Sequence, residues 1–133
     1  MSGRRVVLWR HGRTDWNSER RFQGHTDIPL NSEGRAQASR SAERLTGLAP
    51  SLIVSSDLSR ARDTAAELAQ RVGLEVAVDP RLRETSGGRW EGRFDTDLAQ
   101  DPDYVCWSSG ADVAAGGAET RTQVADRATE AVN

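Results

Sequence analysis

The sequence contains no lysine and only one cysteine, one methionine and one tyrosine among its 133 residues. A single cysteine, Cys106, cannot form an internal disulfide, which fits a reducing compartment. The early apolar run at residues 6–9 is followed at once by charged residues. It is far too short for a membrane span or the core of a signal peptide. We therefore expect a soluble, cytoplasmic protein that has no membrane partner.

Because lysine is absent, all 18 basic residues are arginines, and they stand against 20 acidic residues for a net charge of −2. The planar guanidinium group suits bidentate recognition of carboxylate and phosphate, so this set is compatible with an anionic ligand. Codon bias would give the same composition. The arginines alternate with acids and form no basic stripe, which argues against a nucleic-acid partner.

The length corresponds to one domain, and we do not expect a second domain in these 133 residues. Apolar spacing, caps and breakers predict the following order: strand 4–9, loop 12–30, helix 32–48 capped by Asn31, strand 52–54, helix 58–72 closed by Gly73, strand 74–78, a glycine-rich loop to 92, a short helix with irregular cover over 94–107, a small-residue linker 110–117 and helix 119–132. The alternation of strand and helix predicts an α/β fold with a mainly parallel sheet.

Chemistry-bearing residues follow each predicted strand. His11 lies beside Arg10 after the first strand, Arg60 follows the second, and Glu84 follows the third. Because the carboxyl ends of parallel strands meet at one edge of a sheet, these side chains are expected to lie together. Cations near an imidazole favour its neutral, nucleophilic form.

This combination suits phosphoryl transfer, which needs positioning and charge neutralisation above all. Arg10 and Arg60 can hold the phosphoryl oxygens while His11 attacks. Glu84 can protonate the leaving alcohol, provided that the anionic substrate raises the pKa of its carboxyl group. Thr14 is a further candidate donor to the phosphate.

The motifs resemble those of the histidine phosphatase superfamily, also called phosphoglycerate-mutase-like, in order and in spacing along essentially the whole chain. The matching residues are Arg10-His11-Gly12, Thr14, Asn17, Phe22-Gln23-Gly24, Asp27, Pro29-Leu30, Gly34, Ser56, Leu58, Arg60-Ala61, Thr64, Leu82-Arg83-Glu84 and Trp90-Glu91-Gly92.

The resemblance implies a three-layer α/β/α fold and a small phosphorylated substrate, with no metal or organic cofactor. It implies His11 as the phosphorylated nucleophile, Arg10 and Arg60 as arginines of the phosphate pocket and Glu84 as the proton donor. It also implies that three further residues line the pocket: Asn17, Gln23 and Gly24. The resemblance leaves open whether the protein assembles as a homodimer.

Residues 84–92 lack the Glu-Arg-x-Tyr-Gly pattern that is usual in the mutases of the superfamily, and they are closer to its phosphatase branch. Residues 52–58 and 81–85 are similar to those of glucosyl-3-phosphoglycerate phosphatases. We therefore expect hydrolysis of a phosphomonoester, with phosphoglycerate mutase as the alternative.

One family feature has no counterpart in these 133 residues. Gly116-Gly117-Ala118-Glu119-Thr120 resembles the motif that begins the family's late helix, but no strand ending in a second Ser/Ala-His-Gly follows. The other histidine, His25, is expected to be an exposed loop residue and not a substitute. We expect a single, incomplete domain over residues 1–133, truncated at its C-terminus. A catalytically impaired, phosphate-binding fragment is the remaining alternative.

Overall fold

A computed structural model describes residues 4–133 of the protein. The helices and strands are, in chain order, α1 (Asp15–Glu19), α2 (Ser32–Leu45), β1 (Ile53–Ser55), α3 (Ser59–Val72), β2 (Val76–Val78), α4 (Asp95–Leu98), α5 (Pro102–Ser108) and α6 (Arg121–Val132). Short 3₁₀ turns lie at Thr46–Leu48, Pro80–Leu82 and Gly88–Trp90. Among the helices of the described residues, none combines the length and apolar character needed to cross a bilayer.

The strands β1 and β2 pair in parallel, with Ile53 opposite Val76 and Ser55 opposite Val78. Helix α3 connects them and packs against both strands, while α2 packs against α3. Parallel neighbours need such a crossover, and a helix is its usual form. The predicted α/β fold with parallel pairing is confirmed.

The prediction of a buried strand at residues 4–9 is wrong for this structure. The segment belongs to neither β1 nor β2, and the side chains of Val6, Val7 and Leu8 are 61%, 50% and 87% exposed. Trp9 alone among these apolar residues packs against the core formed by α2, α3 and β1. An apolar run becomes a buried strand only when partners cover its edges and faces, and the described residues cover only Trp9.

Helix α2 begins as the sequence predicts, because the side chain of Asn31 accepts a hydrogen bond from the Gly34 backbone at 2.8 Å. A Cβ at Gly34 would lie 2.0 Å from the carbonyl oxygen of Arg13. The glycine that weakens the helix by propensity therefore allows the first turn of α2 to touch the segment that follows His11. The regular helix ends at Leu45, three residues before the predicted end, and continues as a 3₁₀ turn.

Helix α3 matches the prediction of 58–72 to within one residue and ends at Gly73 in the left-handed conformation. Its first turn is capped from the long loop, since the Asp27 carboxylate accepts from the Ser59 backbone at 2.8 Å and from its hydroxyl at 2.7 Å. These hydrogen bonds lower the pKa of Asp27. The cap fixes the end of α3 that carries Arg60.

The long loop predicted at 12–30 contains the short helix α1, which begins with a capping box between Thr14 and Asn17. Further along the chain, the predicted short helix with irregular cover at 94–107 is resolved into α4 and α5. Both segments are therefore more regular than their punctuated sequences indicate.

Two apolar clusters hold the described chain together. The first lies between α2, α3 and the strands, and its buried members are Ala42, Ile53, Ala65, Leu68 and Ala69. The second is aromatic and lies on the other side of the site, where Phe22, Tyr104 and Trp107 surround the fully buried ring of Trp90. Trp90 thus serves packing, and its indole N–H donates to Asp101 at 3.0 Å.

Candidate active site

His11 follows residues 4–10, which belong to no helix or strand, and its ring is oriented by the backbone of the next residue. Its ring Nδ1 lies 2.6 Å from the carbonyl oxygen of Gly12. A carbonyl oxygen only accepts hydrogen bonds, so Nδ1 carries the proton and donates it. The opposite nitrogen, Nε2, then faces Glu84, with 3.4 Å between Nε2 and Oε2.

Arg60 contributes a buried guanidinium group whose side chain is 1% exposed. Its Nη1 donates to the carbonyl oxygen of Thr26 at 2.7 Å, and its Nη2 donates to that of Gly24 at 2.6 Å. The Nη2 atom also lies 3.0 Å from Oε2 of Glu84. A buried charge is tolerated when it is paired and hydrogen-bonded in this way.

One oxygen of Glu84 therefore bridges the imidazole of His11 and the buried guanidinium of Arg60. Partial burial acts to raise the pKa of the Glu84 carboxyl group. The hydrogen bonds with His11 and Arg60 and the Arg60 charge outweigh burial and hold the pKa below its usual value. The carboxylate thus occupies a position that is suited to an anion.

The spacing between His11 and Arg60 is set by a short relay through α3. The backbone N–H of Gly12 donates to Oγ1 of Thr64 at 3.0 Å, and that hydroxyl donates to the carbonyl oxygen of Arg60 at 2.7 Å. Thr64 is buried. The backbone next to His11 is thus tied to the helix that carries Arg60, although the two residues are far apart in sequence.

Three residues predicted as substrate contacts are bonded to one another in this structure. The fully buried hydroxyl of Thr14 lies 2.6 Å from Oε1 of Gln23, and the Asn17 side chain accepts from the Thr14 backbone at 3.0 Å. They hold the loop that carries Gly24. Their contact with a substrate stays a prediction.

Gly24 has a left-handed backbone, with φ at +58°, and a Cβ there would lie 2.3 Å from Oε2 of Glu91. Glu91, which sequence reasoning gave no role, accepts hydrogen bonds from the backbone of His25 at 3.1 Å and of Gly87 at 2.8 Å. Its other oxygen accepts from the Thr26 hydroxyl. Burial raises the pKa of Glu91, but these bonds outweigh it and keep the carboxylate ionised. The motif Trp90-Glu91-Gly92 is the feature of the sequence from which this role could have been predicted.

Arg10 is exposed, and among residues 4–133 its guanidinium group makes no ion pair. Together with His11 it lines an open cavity of about 350 Å³ against α2, and neither Arg60 nor Glu84 belongs to the lining. The structure thus brings three predicted residues together, His11, Arg60 and Glu84. The role of Arg10 in the same pocket stays a prediction.

His25 differs from its expectation as an exposed loop residue, because its side chain is only 26% exposed. Its Nε2 lies 2.8 Å from the carbonyl oxygen of Glu84 and 3.6 Å from Oε1 of Glu119. Arg127 of α6 contacts the same carbonyl oxygen. Sequence reasoning missed Glu119 and Arg127 as neighbours of the site, although the first belongs to the Gly-Gly-Ala-Glu-Thr motif.

Comparison with known proteins agrees with this geometry. Residues 6–133 match the family model described as "Histidine phosphatase superfamily (branch 1)". A glucosyl-3-phosphoglycerate phosphatase of Mycolicibacterium vanbaalenii is 44% identical over 135 residues, which cover 100% of this chain and 60% of the relative. The Mycobacterium tuberculosis protein of the same name is 46% identical over 129 residues, which cover 96% and 58%.

Among solved structures, a mycobacterial glucosyl-3-phosphoglycerate phosphatase in complex with VO3 aligns with a TM-score of 0.87 and 46% identity, over 92% of this chain and 62% of that one. A probable phosphoglycerate mutase of Escherichia fergusonii is 49% identical over 88 residues, which are 66% of this chain and 41% of the relative.

The chain therefore spans about three fifths of the length of the curated phosphatases that it matches. The family match nevertheless extends over residues 6–133, and the structure brings His11, Arg60 and Glu84 into contact. The chain belongs to the histidine phosphatase superfamily.

Proposed function

We propose that the protein hydrolyses phosphomonoesters through a phosphohistidine intermediate on His11. One observation carries the proposal: Nε2 of His11 and Nη2 of Arg60 lie 3.4 Å and 3.0 Å from the same carboxylate oxygen of Glu84. A nucleophile, a buried cation for the phosphoryl group and a proton donor thus converge on one point.

Glu84 must carry a proton before it can act as the acid of the reaction. The phosphoryl group of a substrate brings negative charge beside Glu84 and raises the pKa of its carboxyl group, which then takes up a proton from solvent. Since Nδ1 of His11 donates to the carbonyl oxygen of Gly12, the electron pair of the ring lies on Nε2, which faces Glu84.

In the first step, the electron pair of His11 Nε2 forms a bond to phosphorus while the bond from phosphorus to the ester oxygen breaks. Glu84 gives its proton to that leaving oxygen, which departs as an alcohol. In the second step, water attacks phosphorus, its proton passes to Glu84, and the bond between phosphorus and nitrogen breaks. Phosphate leaves, the electron pair of the broken bond returns to Nε2 of His11, and Glu84 again carries the proton with which the first step began.

Arg60 neutralises the oxygens of the phosphoryl group during both steps, and its fixed bonds to the carbonyl groups of Gly24 and Thr26 preorganise it. We assign Arg10 as the second arginine of the pocket from its sequence position beside His11. Thr14, Asn17, Gln23 and Gly24 stay assigned to the pocket on the motif alone.

For the substrate we infer a small phosphorylated metabolite, with glucosyl-3-phosphoglycerate as the first compound to test because relatives of 44% and 46% identity are named for it. We also infer a reducing, cytoplasmic setting from the single cysteine.

The test is to trap the phosphoenzyme by acid-free quenching after incubation with radiolabelled substrate. We expect label that is lost in mild acid, that His11→Ala abolishes and that His25→Gln retains, since these are the two histidines of the chain. Label that persists in His11→Ala, or hydrolysis of an aryl phosphate that His11→Ala leaves unchanged, would refute the proposal.

The alternative is phosphoglycerate mutase, favoured by the Escherichia fergusonii relative. A mutase returns the phosphoryl group to a sugar-acid hydroxyl, whereas a phosphatase gives it to water. Product analysis with 3-phosphoglycerate distinguishes them: inorganic phosphate supports the phosphatase, and 2-phosphoglycerate supports the mutase. Phosphate binding without either product would identify the impaired fragment.

A further inference from the structure

The proposed proton donor lies on a segment that has little regular structure of its own. After the 3₁₀ turn at Pro80–Leu82, residues 83–87 belong to no helix or strand. Such a segment does not satisfy its own backbone polar groups, so its position depends on partners from elsewhere in the chain. The relevant question for Glu84 is therefore what holds its backbone.

Arg127, in the middle of α6, supplies the partners of two carbonyl groups in this segment and of a third just before it. Its Nη1 donates to the carbonyl oxygens of Arg81 at 2.7 Å and of Arg83, and its Nη2 donates to that of Glu84 at 2.8 Å. The guanidinium fork thus spans the backbone on both sides of the donor. A planar group with several fixed donors is suited to this, and the point charge of a lysine is not.

Glu119 holds Arg127 from the opposite side. Its two oxygens accept from Nε at 2.8 Å and from Nη2 at 2.9 Å of Arg127. Its Oε1 also accepts from the backbone of Ser86 at 2.7 Å, two residues after Glu84. The Arg127 hydrogen bond lowers the pKa of Glu119 to about 2, against an opposing effect of burial. The ion pair is therefore intact at neutral pH.

His25 completes the arrangement, because its Nε2 donates to the carbonyl oxygen of Glu84 that also accepts from Arg127. The backbone of Glu84 is held at its carbonyl group by two side chains from distant parts of the sequence. None of these contacts involves the Glu84 carboxylate, which is left to face His11 and Arg60.

We propose that Arg127, held by Glu119, is a positioning residue that sets the carboxyl group of Glu84 at the distance from His11 that proton transfer to the leaving group requires. The inference rests on the proposed function, since it assigns Glu84 as the acid. A proton donor must lie within hydrogen-bond reach of the leaving oxygen, and displacements of about 1 Å cost catalysis heavily.

This role differs measurably from a general effect on folding. A leaving group that is stable as an anion does not need a proton, whereas a poor one does. Loss of correct acid placement must therefore slow the hydrolysis of phenyl phosphate, a poor leaving group, more than that of dinitrophenyl phosphate, a good one. A loss of folded protein lowers both rates by the same factor.

The experiment compares kcat/KM for the two esters in the wild type, Glu84→Gln, Arg127→Met and Glu119→Gln. Arg121→Met is the matched control, because Arg121 lies on the same helix but stacks on Trp107 and donates to its carbonyl oxygen, away from Glu84. We expect Arg127→Met to reduce phenyl phosphate hydrolysis about tenfold more than dinitrophenyl phosphate hydrolysis. Glu84→Gln should show the same preference to a larger extent, since acid catalysis contributes about 10²–10⁴-fold. Glu119→Gln should show the same selectivity to a smaller extent, and Arg121→Met none.

Equal loss on both esters in Arg127→Met and Glu119→Gln would overturn the inference while leaving the proposed function in place. Glu119→Gln preserves the arginine and the residue volume, so it decides the question even if Arg127→Met does not fold. A wild-type protein that hydrolyses neither ester would refute the proposed function, and the inference with it.

Discussion

Replacing Glu84 by glutamine should change anion binding and catalysis in opposite directions. The Glu84 carboxylate lies against the buried guanidinium of Arg60 and against His11 Nε2. A tetrahedral dianion that binds between His11 and Arg60 must either contact the negatively charged carboxylate of Glu84 or displace it. Glu84→Gln removes the negative charge, keeps nearly the same volume and retains an N–H that can donate to the anion.

The magnitude follows from the charges and their exposure. Two unit charges about 4 Å apart interact by about 4 kcal/mol at an effective dielectric constant of about 20. The Glu84 side chain is 43% exposed, so solvent and salt screen much of that repulsion. We expect about 1.4 kcal/mol to remain, which corresponds to binding that is about tenfold tighter.

The assay is calorimetric titration with sulfate, whose charge does not change over the range in which carboxyl groups titrate. The pKa of Glu84 is lowered in the free site, so at neutral pH the carboxylate is ionised and opposes the anion. Bound anion raises the pKa, so wild-type affinity should rise as the pH falls towards the carboxyl range. His11 is present in both proteins, and the difference between their pH profiles therefore isolates Glu84.

Weaker sulfate binding in Glu84→Gln, or a pH profile identical to that of the wild type, would refute this reasoning. The matched control is Glu67→Gln on α3, because Glu67 pairs with Arg71 on the same helix as Arg60 but outside the site. It should bind sulfate as the wild type does. In the same preparations, phenyl phosphate hydrolysis should fall by about 10²-fold or more in Glu84→Gln alone.

Three further predictions concern stability. Trp90→Ala should lower the free energy of unfolding by about 3–5 kcal/mol because it empties the aromatic cluster, whereas Leu8→Asp should change it by less than about 0.5 kcal/mol; denaturant unfolding checks both. Gly34→Ala places a Cβ 2.0 Å from a backbone oxygen and should lower the free energy of unfolding by about 2 kcal/mol or more in the same assay. At an ordinary position inside a helix, replacing glycine by alanine would instead raise that free energy. Because the pKa of Glu119 is lowered to about 2, its ionised carboxylate stabilises the fold above about pH 5 by an amount of the order of 2–3 kcal/mol, and this stability is lost as the pH falls towards 2. Thermal melts of Glu119→Gln should therefore show a shallower pH dependence than those of the wild type. Equal slopes would contradict the assignment.

The residues of the site could be predicted because their chemistry is local in the sequence. An imidazole next to a glycine, an arginine in the first turn of a helix and a glutamate after a strand are recognisable without coordinates. The structure brings together His11, Arg60 and Glu84. The neighbouring ends of the parallel strands β1 and β2 account for the closeness of the segments that carry Arg60 and Glu84. His11 follows residues that form no strand in this structure, so a strand end does not account for its place.

The supporting residues could not be predicted in the same way. Glu91, His25 and Arg127 each form a hydrogen bond with a backbone group that lies 43 to 66 positions away in sequence. Such a bond leaves no mark on the identity of the residue that supplies the backbone group, because nearly every residue has the same N–H and carbonyl groups. Only the positions of the chain segments in space show these contacts.

The sequence by itself determined the α/β class and the parallel pairing of β1 with β2, and it singled out His11, Arg60 and Glu84, since apolar periodicity and side-chain chemistry are properties of the residues themselves. The tertiary structure decided whether an apolar run becomes a strand, and residues 4–9 do not, because burial depends on neighbours that the run does not contain. It also decided how the backbone of Glu84 is held, because the reach of Arg127 to that backbone depends on the packing of α6 against the turn at Pro80–Leu82.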